Sequence, residues 1–145
     1  MTGKNGYFNS KAETMKEATK RYISIESEDV MQRVGGRINA LSRSGKWDLR
    51  IEQGLRESVE NALKRSSAKF VEAFNSLLYS EFGDNPTKDV KLIAGEHVAR
   101  YTALLRDYQR RVNDAQGSFN IRGASMQFSI DAGALSESLL SARRP

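Results

Sequence analysis

The stretch from Lys46 to Pro86, KWDLRIEQGLRESVENALKRSSAKFVEAFNSLLYSEFGDNP, decides the fold. Its apolar residues recur every three, four or seven positions from Trp47 to Phe82, which is the pattern of one face of a long helix. The final letters, GDNP, combine a helix-ending glycine with an asparagine and a proline that suit the start of another helix. The stretch therefore predicts a long helix, a short turn and a second helix.

The apolar stripe resumes after this turn and continues to Ala115, and Gly117 then follows. Two long helices joined by a short turn are typical of an antiparallel helical hairpin, which we expect over residues 46–116. At about 1.5 Å per residue, its arms measure roughly 45–55 Å.

The N-terminal third predicts an arm and two further helices. Residues 1–9 are rich in glycine and asparagine and read as a flexible arm. Ser10 and Glu13 have the spacing of a capping box, and the SED at 27–29 suits the start of a second helix. Gly35 and Gly36 fit a kink in that helix, a close backbone contact or the end of the helix.

Residues 118–131, SFNIRGASMQFSID, alternate between apolar and polar side chains around a central glycine. The alternation predicts a small β-hairpin with a two-residue turn. Its apolar face would hold Phe119, Ile121, Met126, Phe128 and Ile130. Because the two edges would be unpaired, strand addition between copies is one solution and simple solvation is the other. The first solution makes these five residues an oligomer interface.

The predicted fold class is therefore mainly α, with a long antiparallel helical hairpin, two N-terminal helices and a small C-terminal β-hairpin. After the arm we expect a single elongated domain over 10–145. Its parts are basic N-terminal helices at 10–43, the helical hairpin at 46–116, the β-hairpin at 118–131, and a short helix with a tail at 132–145.

Composition excludes several classes of protein. The chain has no cysteine, so disulfide frameworks, thiolate catalysis and zinc fingers are excluded. No apolar run is long enough to span a membrane, and the polar N-terminus lacks the apolar core of a secretory signal. We expect a protein that is cytoplasmic or incorporated into a particle or complex.

The net charge of +5 is concentrated at the N-terminal end, where residues 1–50 hold ten basic and six acidic residues. Five cations with little acidic compensation form a candidate nucleic-acid surface: Arg33, Arg37, Arg43, Lys46 and Arg50. Such a patch would bind phosphates without sequence preference. A surface charge that only maintains solubility is the alternative interpretation.

No pattern of catalytic or cofactor-binding residues stands out. His97 is the only histidine and lies at the border of an apolar stripe, which fits a structural or solvated residue. Glu57 and Glu60 have cationic neighbours in sequence, so ordinary helix-surface ion pairs explain them better than acid–base catalysis. The RSGKW at 43–47 lacks the other residues of a phosphate-binding loop. We expect no enzyme, cofactor or metal.

Three functions fit these expectations. The first is a non-enzymatic structural or assembly protein that acts as a homo-oligomer or in a larger assembly, as in virions, phage assembly or secretion complexes. The second is an accessory protein that binds DNA or RNA, such as a small DNA-packaging subunit. The third is an adaptor or inhibitor that binds another protein through a helical face.

Overall fold

The computed structural model describes the backbone of residues 3–83 and 87–141, and the side chains of residues 13–83 and 87–138. These residues form an antiparallel bundle of long helices. Its elements are α1 (Gly3–Val30), a π-helical segment (Met31–Gly35), α2 (Gly36–Ser44), α3 (Leu49–Phe82), α4 (Lys88–Asp114) and α5 (Gly117–Ser141).

The four long helices pack in a closed ring. Helix α3 lies between α1 and α4, and α5 lies between α4 and α1, so each has two neighbours. Ser66 of α3 shares a hydrogen bond of 2.7 Å with Tyr101 of α4, while Arg56, earlier in α3, reaches the carbonyl of Ala115 just after α4. These contacts confirm the antiparallel helical hairpin that the sequence predicted around the GDNP turn.

The predicted β-hairpin at 118–131 is wrong. Helix α5 covers this whole stretch, and none of the residues described here lies in a strand. Ile121 and Phe128 are seven residues apart, a spacing that places both on one face of a helix, whereas the predicted hairpin placed them on one face only because a turn at Gly123–Ala124 put them on different strands. A helix satisfies its own backbone hydrogen bonds, whereas an isolated hairpin leaves both edges unpaired.

The N-terminal part forms one continuous helical rod from Gly3 to Ser44, although the sequence predicted two helices meeting near residues 27–29. The polar side chains there do not cap a new helix: Ser27 donates to the carbonyl of Ser24, and Asp29 accepts from Arg33. Because α1 begins at Gly3, the helix includes most of the stretch expected to be an arm, and the flexibility of that arm in solution stays a prediction. Residues 1–2 and 142–145 lie outside the described part.

The glycine pair at 35–36 produces neither a kink nor an end but a π-helical turn. The N–H of Gly36 bonds to the carbonyl of Met31, five residues back, and the chain then continues as α2. A Cβ on Gly35 would lie 2.7 Å from Cε of Met31, so the end of the Met31 side chain occupies the space that this buried glycine leaves. This turn keeps Val34 and Ile38 buried.

Aromatic rings fill the centre of the bundle. Phe70 of α3 stacks on Tyr101 of α4 with ring centroids 4.4 Å apart, and Tyr108 of α4 stacks on Phe128 of α5 at 4.6 Å. The buried hydroxyl of Tyr108 bonds to Ser125 at 2.6 Å. The second stack joins α5 to the bundle and explains why Phe128 points inward.

Two side chains of α3 hold the short connection between α4 and α5; we call Glu52 and Arg56 the α4–α5 clamp. Arg56 donates to the carbonyl of Ala115 at 2.7 Å and to that of Val112 at 3.4 Å, at the C-terminal end of α4. Glu52 is buried and accepts a hydrogen bond from the N–H of Gly117, the first residue of α5. The cation thus lies at a helix C-terminus and the anion at a helix N-terminus, which both helix dipoles favour.

Candidate functional site

Helix α5 has apolar side chains on two opposite faces. Its inner face packs into the bundle through Ile121, Ala124, Phe128 and Ala132, all buried. Its outer face carries a stripe of three large apolar side chains in solvent: Phe119 is 79% exposed, Met126 59% and Ile130 62%. We call these three residues the α5 stripe.

Helical geometry makes the α5 stripe continuous. Phe119, Met126 and Ile130 follow one another at intervals of seven and four residues. At about 100° per residue, the three side chains lie within roughly 40° of each other around the helix. The stripe is therefore a single ridge that runs along the outside of α5.

The structure divides the five residues proposed from sequence as an oligomer interface. Ile121 and Phe128 are 0% and 2% exposed and belong to the core, so they cannot reach a partner while the bundle is folded. Phe119, Met126 and Ile130 remain together on the surface. Their role at an interface stays a prediction, and it now rests on a helix face.

Shallow grooves flank the α5 stripe on both sides. The groove toward α4 has a volume of about 530 Å³ and is lined by Arg110 and Arg111, among others. Both arginines also bond to Asp107, and these hydrogen bonds hold the pKa of its carboxyl below the ordinary value. The groove toward α1 has a volume of about 310 Å³ and is lined largely by serines and small side chains.

The outer face of α5 carries little charge. Among its described residues the charged side chains are Arg122, Asp131 and Glu137. Asp131 lies at the side of the helix, half-buried, where its carboxylate accepts a hydrogen bond of 2.8 Å from Gln127. Arg122 and Glu137 are both exposed; Arg122 lies between Phe119 and Met126, and Glu137 lies seven residues beyond Ile130.

The five cations proposed as a nucleic-acid surface are all exposed, on the C-terminal half of the first rod and at the start of α3. Arg33 pairs with Asp29 at 2.8 Å, and Arg37 donates to Ser58 of α3 at 3.4 Å. Arg43, Lys46 and Arg50 lie around the turn between α2 and α3.

The acidic side chain nearest to this turn has a structural role. Asp48 is the N-cap of α3, and its carboxylate accepts a hydrogen bond of 2.8 Å from the N–H of Ile51. We call Arg43, Lys46 and Arg50 the basic turn. Whether it binds nucleic acid stays a prediction.

His97 is buried inside the bundle. Its Nδ1 lies 2.8 Å from the hydroxyl of Thr19 in α1, and its ring meets the edge of Phe74 in α3. Burial, and next the charge of Arg100, lowers the pKa of the imidazole below its ordinary value. A neutral histidine joining three helices has a packing role, which agrees with the structural role suggested by its place in the sequence.

Other titratable groups show the effects of burial without gathering into a site. Burial raises the pKa of Tyr101 and of Tyr108, whose hydroxyls bond to serines. Burial also raises the pKa of Glu26, which faces Lys69 and Arg65 across the surface. Within the described residues, no three acidic or histidine side chains come together as metal ligands would.

Sequence reasoning did not single out Arg122 and Glu137, because their place on the outer face exists only if residues 117–141 form a helix. A signal for that helix was present. The inward spacing of three and four residues continues from Phe128 to Ala132 and Leu135, straight through the predicted end of the hairpin at 131.

Comparison with protein-family models, with curated proteins and with solved structures finds no match to this chain. In the part of the chain that the structure describes, no helix has the length and apolar character needed to cross a bilayer.

Proposed function

We propose that this protein is a non-enzymatic structural or assembly protein that joins other protein subunits through the α5 stripe. The observation that carries the proposal is the exposure of Phe119, Met126 and Ile130 on one continuous ridge. Single exposed apolar residues are ordinary on protein surfaces, but contiguous apolar patches mark interaction sites. Fully burying a side chain of this size contributes about 1.5–3 kcal/mol, so covering the stripe is worth roughly 5 kcal/mol.

The shape of the bundle supports a building-block role. Helix α3 has 34 residues and is therefore about 50 Å long at the usual rise per residue. Its neighbours α1 and α4 run antiparallel to it and pack on it through aromatic rings: Tyr22 meets Phe70 edge to face, and Tyr101 stacks on Phe70. A long helical bundle with an exposed apolar stripe on one side suits a repeating component of a virion, phage-assembly or secretion complex.

Size-exclusion chromatography with light scattering tests this function. We expect the wild-type protein to associate and the Met126→Lys variant to associate less, because the lysine puts a charge in the middle of the stripe. Asn61→Lys is the matched control, since Asn61 is exposed on α3 and the added charge is the same. Equal association of both variants and the wild type would contradict the proposal.

The adaptor or inhibitor function differs from the assembly function in the partner that covers the α5 stripe, which would be a different protein. A wild-type protein that is monomeric at about 100 µM, where even weak self-association becomes visible, would favour this function over self-assembly. The α5 stripe would then be the surface that another protein covers.

Nucleic-acid binding is the second candidate function, and the basic turn favours it. Arg43, Lys46 and Arg50 are exposed within eight residues, and the carboxylate of Asp48 is engaged in capping α3. Contacts with phosphates release counterions, so affinity for duplex DNA should fall steeply between about 50 and 200 mM salt.

Gel shifts with duplex DNA test this second function. The triple variant with alanine at the basic turn should bind all sequences less tightly than the wild type. The matched control is alanine at Lys64, Arg65 and Lys69, three exposed cations further along α3. Absence of wild-type binding at about 50 mM salt, where such contacts are strongest, removes this candidate.

A further inference from the structure

Building on the proposed function, we infer that the partner covering the α5 stripe is the same stripe of a second copy of this chain. The two α5 helices pack antiparallel about a two-fold axis that passes between Ser129 and Ile130. Three features of the outer face lead to this arrangement: its charges, its small residues and the position of Ile130.

The charges on the outer face are complementary to themselves. Arg122 and Glu137 lie 15 residues apart, about 22 Å along the helix, with the midpoint between positions 129 and 130. In an antiparallel pair centred there, Arg122 of each copy lies opposite Glu137 of the other. A two-fold interface repeats every contact, so this register forms two ion pairs.

The same register places a large side chain opposite a glycine. Position 126 faces position 133, so Met126 of one copy packs over Gly133 of the other. Gly133 is exposed, and a Cβ built on it would meet nothing within 4 Å in its own chain. A glycine inside a helix lowers helix stability. Nothing in the monomer requires this glycine, whereas a partner helix that approaches closely does.

Ile130 lies next to the two-fold axis, where it meets Ile130 of the second copy. The contact strip is as long as α5, whose 25 residues span about 37 Å, and about one helix diameter, or 10 Å, wide. It therefore buries roughly 400 Å² on each copy, which is small for a specific interface. We expect a dimer with a micromolar dissociation constant.

The charge of the outer face distinguishes this partner from a lipid surface. Helices that lie on membranes carry many lysines and arginines beside their apolar face. The outer face of α5 instead carries one exposed arginine and one exposed glutamate. A second copy pairs both of them, whereas an anionic lipid surface attracts one and repels the other.

Charge reversal tests the register. Arg122→Glu and Glu137→Arg should each weaken dimerisation about tenfold or more, because like charges then face each other twice. The double variant should restore dimerisation to near the wild-type level. Arg106→Glu on α4 is the matched control, since Arg106 is also exposed and the change in charge is the same.

Replacement of the glycine tests the packing. Gly133→Leu should weaken dimerisation by tenfold or more, because the leucine occupies the place of Met126 from the second copy. The same change should leave the thermal stability of the monomer equal or higher, since leucine favours a helix more than glycine does. Gly95→Leu on α4 is the control: Gly95 is exposed and a Cβ there also meets nothing within 4 Å.

Sedimentation equilibrium between about 1 and 100 µM measures each change in dimerisation, since this range spans a micromolar dissociation constant, and a thermal melt measures the stability of the glycine variants. A dimer that is lost in Met126→Lys but unaffected by Arg122→Glu or Gly133→Leu would overturn the antiparallel register and leave the proposed function standing. A wild-type monomer throughout this range, or a dimer that Met126→Lys does not weaken, overturns the inference itself. A wild-type monomer would favour the adaptor or inhibitor function, in which a different protein covers the stripe.

Discussion

The α4–α5 clamp should contribute far more to stability than an ordinary surface ion pair, and Glu52→Ala measures this contribution. Only 4% of the Glu52 side chain is exposed, and its carboxylate accepts from the first N–H of α5. A hydrogen bond to a charged group is worth about 1.5–3 kcal/mol. The variant also leaves Arg56, whose side chain is 21% exposed, without its anion. We expect the free energy of unfolding to fall by about 2–4 kcal/mol.

Urea denaturation followed by circular dichroism provides the measurement, and the melting temperature should fall by roughly 5–10 °C. Glu52→Gln should cost about half as much, because the amide oxygen still accepts the hydrogen bond but carries no charge. The control is Glu60→Ala: Glu60 pairs with Lys64 at 3.2 Å on the same helix, but its side chain is 53% exposed. Such a pair is worth less than about 1 kcal/mol.

Hydrogen exchange at the N–H of Gly117 shows where in the structure the loss of stability occurs. Losing the carboxylate of Glu52 should accelerate exchange at the start of α5 more than in the middle of α3. If Glu52→Ala and Glu60→Ala destabilise the protein equally, the clamp does not hold the α4–α5 connection and the reasoning is refuted.

Three further predictions follow from the core. In urea denaturation, Phe128→Ala should lower the free energy of unfolding by about 3–5 kcal/mol, and Phe119→Ala should lower it by less than about 0.5 kcal/mol. Similar losses for the two variants would instead indicate a β-hairpin with both rings on one face. Because the pKa of His97 is lowered in the folded protein, the unfolded chain takes up a proton at a higher pH than the folded one does. The stability of the fold should therefore decrease as the pH drops below about 6.5, and His97→Gln should reduce this pH dependence in thermal melts. Tyr108→Phe removes the partner of Ser125 and should cost about 1 kcal/mol by the same denaturation assay.

The helical hairpin of α3 and α4 was predictable because its information is local. Its apolar stripes run for many turns, and the GDNP between them contains both a stop and a start signal. Thr87 rather than an earlier residue caps α4, with its hydroxyl accepting from Val90, but the existence and direction of the helix did not depend on that detail.

Helix α5 was not predictable in the same way because two periods fit its residues. Ile121 and Phe128 share a face both in a helix and in a two-stranded hairpin, and Gly123–Ala124 resembles the turn of such a hairpin. What selects the helix is the space between α1 and α4, which Phe128 fills by stacking on Tyr108. That information lies in distant parts of the chain.

The candidate site was predictable only in part for the same reason. Phe119, Met126 and Ile130 were predicted to belong to an oligomer interface and are exposed, but they were grouped with Ile121 and Phe128, which are core residues. The inferred places of Arg122, Gly133 and Glu137 at an α5–α5 contact depend on helical phase, which the β-hairpin interpretation hid. The basic turn needed no such information, because a run of cations beside a loop lies on the surface in almost any fold.

The closed ring of helices has a consequence for how the protein is made. Helix α5 packs between α4 and α1, yet it is the last of these helices to be synthesised. At about 5–20 residues per second, its 25 residues take roughly 1–5 s to translate. Until α5 has been made and has packed, α1 and α4 leave uncovered the ring of Tyr108 and the rest of the surface that α5 covers. Such transiently exposed apolar surface makes an incomplete bundle prone to aggregation.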